Sequence, residues 1–417
     1  MDDMTIEKHN GEYLDLLLQD VFKCVRCGFC NSVCPTSNIS ISYMGSRTSR
    51  GRIVILQAYF SNILNKPIES DEIQEAFDYC FGCRRCLDIC PAGVKIPQIV
   101  WRVKSLKARK RLLHRFLFSN YGLLEKICSK MPKLSNTFLS SSLGKTMLER
   151  LYGIDRRVSF PKFYEVSLES WFRRRRFQNS GGRKLSYFVD VFTNYHEVDL
   201  GIEIVTTLEK LGYSISIPPQ KEAGTILFEE GLIEEALKIA RYNIENLYKS
   251  IVNGSVILTS SPAAYLALKK DYPEFLGDEK SRIVADNTFD VLELLLRDVE
   301  EGRVKLDSRE GFKITYHHSC FTKASGLTKT IKRLLSYAEY DLKEVDQCCG
   351  IAGLWGMKKK HFDQAIEVGS GLFSELKNLA IPVTSQSETC RLQIRHNTGI
   401  DVKHPFQYIS EIIEPRP

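Results

Sequence analysis

Residues 23–35 read KCVRCGFCNSVCP and residues 79–91 read YCFGCRRCLDICP. Both carry the pattern C-x2-C-x2-C-x3-C-P: Cys24, Cys27, Cys30 and Cys34 before Pro35, then Cys80, Cys83, Cys86 and Cys90 before Pro91. Thiols this close could pair as disulfides, bind zinc or hold iron–sulfur. Zinc sites usually take two separated C-x2-C pairs, because a tetrahedral ion needs ligands from two loops. Three Cys at intervals of three instead wrap a loop around three corners of a cube, and the fourth, before proline, ligates the other cluster. The spacing predicts crossed ligation. Cys24, Cys27, Cys30 and Cys90 hold one 4Fe–4S cluster, and Cys80, Cys83, Cys86 and Cys34 hold the other. Gly28 and Gly82 suit tight loops, since glycine accepts positive φ.

Outward from these motifs, 45 residues separate Cys34 from Cys80. They include SRGRIVILQAYFSNILN and ESDEIQEAFDYC, both of helical periodicity, with Ser70 or Asp71 as a cap for the second. The expectation is an α-helical two-cluster domain over residues 1–100. Residues 101–185 are basic and mostly helical, and read as an amphipathic linker. Its most one-sided stretch, IVWRVKSLKARKRLLHRFLF at 99–118, has seven Lys and Arg and no acid. Ile99, Val103, Leu106, Leu113 and Leu117 recur on one helical face, with cations opposite. Arg173 to Arg176, Arg183 and Lys184 add to the charge. Three readings compete: a solvated helix packed on its neighbours, a helix on an anionic membrane surface, and a nucleic-acid face, the least supported.

From about residue 186 short strands alternate with helices, the pattern of α/β units. KLSYFVDVF, YSISIPP and SVILTSS read as strands, LGIEIVTTLEKLG and GLIEEALKIARYNIENLYKS as helices. FKITYHHSCF, GMKKKHFDQAIEVGSGLFSELKNL and IPVTSQSETC then repeat the order. The copies, 186–297 and 298–417, align. DVFT at 190–193 lies over SCFT at 319–322, KEAG at 221–224 over QCCG at 347–350, and SPAAYLAL over SETCRLQI. Ala223 to Ala264 is 41 positions, as is Cys349 to Cys390. The second copy thus has Cys320, Cys348, Cys349 and Cys390 where the first has Val191, Glu222, Ala223 and Ala264. Four soft ligands on three loops at the carboxyl end of a sheet make a metal pocket, for zinc or a third cluster. A buried Cys group without metal is the bland alternative. Gln393 stands where a further C-x2-C would put a thiol. His317, His318 and His404 read as hydrogen-bonding residues rather than ligands. Cys128 reads as a buried or free thiol.

The chain has 417 residues, 43% hydrophobic, and a net charge of +7. Asp2, Asp3, Glu7 and Lys8 interrupt any leader-like apolar run. No stretch reaches the ~18 apolar residues of a spanning helix. Thirteen Cys without a secretory signal read as metal thiolates in a reducing compartment. GSGLF lacks a dinucleotide fingerprint and follows no strand, so no flavin is expected on this chain.

Taken together, these residues resemble the iron–sulfur subunits that join a two-cluster domain to two tandem cysteine-rich CCG domains. That family includes such subunits of glycolate oxidase, of anaerobic glycerol-3-phosphate dehydrogenase and of heterodisulfide reductase. CVRCGFCNSVCPTS with SRGRIVIL looks like the glycolate oxidase type. CPAGVKIPQIV and ETCRLQI with KHPFQYI look like the glycerol-3-phosphate type, whose last motif ends C-x2-Gln as Cys390 and Gln393 do. The stripped first unit departs from the family. The resemblance implies an electron-transfer subunit, cytoplasmic and peripheral on the inner face of the cell membrane. It implies a flavoprotein partner carrying FAD, which oxidises glycerol 3-phosphate or a 2-hydroxy acid, with quinone as acceptor. No catalytic residue follows from it. A disulfide reductase acting at the second unit and a non-catalytic iron–sulfur sensor or scaffold are the alternatives.

Overall fold

The computed structural model describes residues 17–37, 39, 45–108, 110–175 and 181–415. Arg109, Arg176 and the four charged N-terminal residues named above lie outside the described residues.

The cluster region is built on three helices, Ser49–Phe60, Asp71–Asp78 and Ile96–Ala108. Thr48 caps the first, accepting from the Gly51 N–H. Ser70 is the N-cap of the second, but its hydroxyl makes no capping bond. Ile53, Leu56, Ile73, Phe77, Ile99 and Val103 pack as one core.

Of the three readings of 99–118, helix Ile96–Ala108 follows the one packed on its neighbours and not the one on a membrane surface. Helix Ile96–Ala108 is buried along nearly its whole length, including Ile99, Val100, Trp101, Val103 and Leu106. It also runs across the expected boundary at residue 100. Its cations meet acids from elsewhere in the chain: Lys107 pairs with Asp71, and Arg102 lies 3.9 Å from Asp20. Helix Leu112–Ser119 is separate and outside this core; its Arg115 pairs with Glu235 at 2.6 Å. With Tyr121–Cys128, Pro132–Ser140 and Ser142–Tyr152 it forms a helical layer within the stretch read as an amphipathic helical linker.

Two four-stranded parallel sheets follow among the described residues. The first comprises β1 (Arg183–Tyr187), β2 (Tyr213–Ser216), β3 (Val256–Thr259) and β4 (Thr288–Asp290), in spatial order β2-β1-β3-β4. A ribbon strand, β5 (Val304–Leu306), comes next. The second sheet comprises β6 (Lys313–His317), β7 (Asp341–Val345), β8 (Val383–Thr384) and β9 (Val402–Lys403), in order β7-β6-β8-β9. The two orders are the same, as a duplicated unit requires. Amphipathic crossover helices cover the sheets. Val198–Lys210 buries Leu200, Ile204, Val205 and Leu208, spaced as one helical face. Each such side chain contributes about 1.5–3 kcal/mol on burial.

The units are not independent. Leu185 and Tyr187 of β1, Ile314 and Tyr316 of β6, and Phe406 belong to one hydrophobic core. β5 pairs antiparallel with β10 (Ile413–Pro415), tying the last described strand to the inter-unit connection. Helix Val291–Glu300 spans the expected boundary at 297/298.

Candidate metal centres

The two Cys-rich loops have the same backbone. Arg26 and Gly82 hold equivalent positions with φ +59° and +62°; Gly28 and Arg84 follow with +86° and +63°. Each loop thus needs two left-handed residues, and glycine supplies a different one in each. The non-glycine positions are unfavourable for L-residues. At Arg84 the conformation is held by a buried ion pair, its Nη2 lying 2.7 and 2.6 Å from the Asp271 carboxylate oxygens.

The fold brings the eight thiols together in the crossed sets. Cys24, Cys27, Cys30 and Cys90 line one small cavity. Cys34, Cys80, Cys83 and Cys86 line another. Each set combines three thiols of one motif with the pre-proline thiol of the other. Among the described residues no three His, Cys, Asp or Glu converge on a single-ion site. A 4Fe–4S cube takes one thiolate per iron, so its four ligands stand around a larger body.

The electrostatics favour a cationic core in these cavities. Burial pushes the Cys83, Cys86 and Cys30 thiols up, and neighbouring thiols add to it. Cys34 differs. Burial pushes it up as well, but the Arg52 guanidinium and the Ser49 and Thr36 hydroxyls bring it down to about 7. Arg52 is itself buried, donating to the Ala76 carbonyl at 2.8 Å. The Val94 N–H reaches the Cys90 sulfur at 3.4 Å. Thiolates packed this closely need a metal to neutralise them, so the donor sets fit iron–sulfur clusters.

In the second α/β unit, Cys320 opens the helix after β6 and Cys390 lies in the helix after β8. They flank the point where strand order reverses, the usual place for a site in an open parallel sheet. Cys348 and Cys349 follow β7. Gly350 has φ +81°, and a Cβ there would lie 1.9 Å from the Ala365 carbonyl oxygen. Only glycine lets the loop turn so close to helix Phe362–Leu379. Cys349 Sγ donates to Cys390 Sγ at 3.1 Å, and the Gly350 N–H reaches Cys348 Sγ at 3.4 Å. Burial pushes Cys320 up, and Cys348 up to about 11.

His317 and His404 are occupied. His317 Nε2 donates to the Gln347 carbonyl at 2.9 Å, and its Nδ1 meets Ser385 Oγ at 3.0 Å. His404 Nδ1 accepts from the Phe406 N–H, and its Nε2 faces the Ser260 carbonyl at 3.2 Å. His318 lies 3.1 Å from Glu344. Gln393 is buried one helical turn beyond Cys390.

The three thiol groups adjoin. Cys83 packs with Tyr79, Phe81 and Trp355 in a small apolar cluster that Cys320 and Cys348 touch. Trp355 Nε1 donates to the Asp78 carbonyl at 2.8 Å, and its ring stacks on His361 at 4.4 Å. His361 lies 2.9 Å from the Asp78 carboxylate. These contacts lock the second unit onto the cluster region. Sequence reasoning did not foresee them, because their partners lie more than 270 positions apart in the chain.

In the first unit, Asp190 caps the helix beginning at Val191, as Ser319 caps the helix beginning at Cys320. Ser261 caps the helix carrying Ala264, the counterpart of Cys390. The frame is the same, but Val191, Ala223 and Ala264 offer no donor atoms to a metal.

Comparison with known proteins gives two family matches, a 4Fe-4S dicluster domain over residues 20–94 and a cysteine-rich CCG domain over residues 314–395. The chain is 26% identical to a subunit of the anaerobic glycerol-3-phosphate dehydrogenase of Escherichia coli, covering 94% of this chain and 98% of that one. It is 22% identical to the probable glycolate oxidase iron-sulfur subunit of Bacillus subtilis, over 90% and 88% of the two chains. It is also 23% identical to the D-2-hydroxyglutarate dehydrogenase of Escherichia coli, over 83% of this chain and 35% of that longer one. The chain thus combines the dicluster and cysteine-rich domains and is related, over nearly its full length, to iron–sulfur subunits of oxidoreductases.

Proposed function

We propose that this chain is the iron–sulfur electron-transfer subunit of a flavin-dependent dehydrogenase. The observation that carries the reading is that the thiol groups adjoin, with Cys83 in a small apolar cluster against which Cys320 and Cys348 pack. Cys24, Cys27, Cys30 and Cys90 would hold one 4Fe–4S cluster, and Cys34, Cys80, Cys83 and Cys86 the second. Cys320, Cys348, Cys349 and Cys390 would hold a third cluster or zinc. Bound clusters supply single-electron acceptance and release. The protein's own part is to keep them close, exclude water with Tyr79, Phe81 and Trp355, and set their electrostatics through Arg52 and the backbone N–H groups.

The hydride-accepting flavin would sit on a partner that oxidises glycerol 3-phosphate or a 2-hydroxy acid. In the longer 2-hydroxyglutarate enzyme, the part similar to this chain is 35% of the whole, which suits a dehydrogenase that carries both functions on one polypeptide. Electrons would leave towards quinone at the inner face of the cell membrane.

Among the described residues no helix is long and apolar enough to cross a membrane. The four helices between Leu112 and Tyr152 do expose large side chains, among them Leu113, Phe116, Ile127, Leu134 and Leu143. Lys126, Lys133 and Lys145 lie on the same helices. This is the composition of a peripheral lipid-facing surface. Residues 99–108 take no part in it.

The test is anaerobic. The full chain is reduced with one equivalent of dithionite at a time and mixed with a soluble short-chain quinone. Cluster absorbance should bleach on reduction and return with quinone. A chain that shows no bleaching, or none that quinone reverses, does not carry electrons in this way.

A further inference from the structure

One cavity lies outside the thiol centres, at the stripped site of the first unit. It measures about 260 Å3. Val191, Ala223 and Ala264 line it. These are the counterparts of Cys320, Cys349 and Cys390. Where the second unit places thiols, the first leaves space.

Phe321 and Thr389 also line the cavity, and each is the chain neighbour of a thiol, Cys320 or Cys390. Tyr121, Leu124 and Leu148 of the helical layer line it too, with Phe160 of the loop that follows. Leu124 is itself 43% exposed, and Leu123 and Ile127 of the same helix are exposed too. The cavity thus lies between the thiol loops and the exposed apolar layer.

Its charge decides what can enter. Asp190, Glu222, Glu229 and Glu388 line it, as do Glu125 and His196, which lie 3.1 Å apart; among the described residues no Lys or Arg does. A phosphate ester, a hydroxy-acid anion or a fatty acid would meet carboxyl groups, with no Lys or Arg of the described residues lining the cavity to receive its charge. Glu229 is half-buried, and burial pushes its carboxyl up to about 8, which favours the protonated, hydrogen-bond-donating form. Glu230 beside it stays ionised: burial pushes it up, but Lys358 at 2.5 Å and His114 at 2.9 Å more than reverse this. Tyr121 offers a second hydroxyl donor. Apolar walls with neutral hydrogen-bond donors suit a neutral molecule with carbonyl acceptors. An apolar cavity of about 150 Å3 holds benzene, so 260 Å3 takes one substituted ring. It is too small for a long tail as well.

We propose that this cavity binds the head group of a neutral quinone, its tail leaving past Leu124 towards the exposed helices. The inference rests on the electron-transfer reading above and adds the place where the acceptor sits. The vestigial site has exchanged metal ligands for a ring-sized apolar pocket one residue from the thiol loops.

The test uses the anaerobically prepared full chain, a short-chain p-quinone in equilibrium dialysis, and its azido derivative for photolabelling. The label should fall on peptides holding Tyr121–Leu124, Val191 or Ala264. Val191→Trp, which fills the cavity, and Leu124→Trp, at its partly exposed edge, should each weaken binding at least tenfold with metal content unchanged. Sodium decanoate should not displace the quinone. Labelling elsewhere, binding within twofold of the parent in both variants, or equal displacement by decanoate overturns the proposal. If the parent's reduced clusters are still reoxidised by quinone in that case, the electron-transfer reading stands and only the site falls. If the parent neither binds quinone nor is reoxidised by it, both fall.

Discussion

Changing Asp271 to Asn removes the charge that faces Arg84 while keeping the side chain's shape. The guanidinium is 5% exposed and the carboxylate 2%, and the pair joins the cluster loop to the first α/β unit. Among the described residues the buried Nε of Arg84 finds no acceptor, so Asp271 is its only hydrogen-bonding partner. The remaining support is the Trp101 ring, 5.3 Å from the guanidinium carbon. Two unit charges about 4 Å apart interact by about 4 kcal/mol at an effective dielectric of about 20. Stranding a buried charge costs about 3–5 kcal/mol. An amide still offers one acceptor oxygen, so about 3 kcal/mol is expected for Asp271→Asn. Burial nevertheless pushes the Asp271 carboxyl up against the pull of Arg84, so desolvation outweighs the attraction. Replacing both partners, as Arg84→Met with Asp271→Leu, should therefore cost far less than the single change. A chain with several packed units need not unfold in one step, so the assay is local: amide hydrogen exchange of peptides spanning 81–88 and 266–273. At about 1.36 kcal/mol per tenfold, about 3 kcal/mol predicts about a hundredfold faster exchange there. Less than a tenfold change, or a double variant as fast as the single one, would refute the reasoning.

Cys90→Ser should release the cluster of the other motif: about four irons lost per chain, with Cys24, Cys27 and Cys30 becoming alkylatable while Cys80, Cys83 and Cys86 stay protected. The opposite protection pattern would show uncrossed ligation. For His317, burial lowers the ring to about 4. The unfolded ring takes up a proton near pH 6.5 and the folded one does not, so this stability is complete above pH 6.5 and lost as pH falls through about 4. The stability gap between the parent and His317→Asn should narrow by about 3 kcal/mol from pH 7 to pH 4; a constant gap in the amide hydrogen-exchange protection of peptides spanning β6, compared between the two at each pH, would count against it. Leu113→Glu with Phe116→Glu should weaken binding to anionic vesicles in flotation assays. Lys107→Gln, which removes a cation already paired with Asp71, should not; the reverse ranking would return the lipid face to residues 99–108.

Much of this was legible because it was local. The crossed thiol sets follow from a spacing of a dozen residues ending in proline. The duplicated frame follows from the 41-position register, and β1, β2, β3, β6 and β8 from short apolar runs. β7 was not, because this edge strand reads Asp-Leu-Lys-Glu-Val and is mostly exposed. The β5–β10 ribbon was not, since its partners are over a hundred residues apart. The basic stretch misled for the same reason: Asp71 and Glu235, which neutralise it, are distant in sequence. Arg84 shows the limit most plainly. A left-handed arginine is unfavourable by itself, and only the fold supplies Asp271. The cavity had one sequence signal, the small residues Val191, Ala223 and Ala264, but its far wall comes from helices that read as a linker.

The most direct test of the account is iron, sulfide and zinc analysis of the anaerobically prepared full chain, with electron paramagnetic resonance after dithionite reduction. Two cubanes predict about eight irons and eight sulfides in the N-terminal sets, reduced signals from both, and further metal only if the Cys320, Cys348, Cys349 and Cys390 site is loaded. Stoichiometric zinc with little iron and no reducible signal would contradict the account.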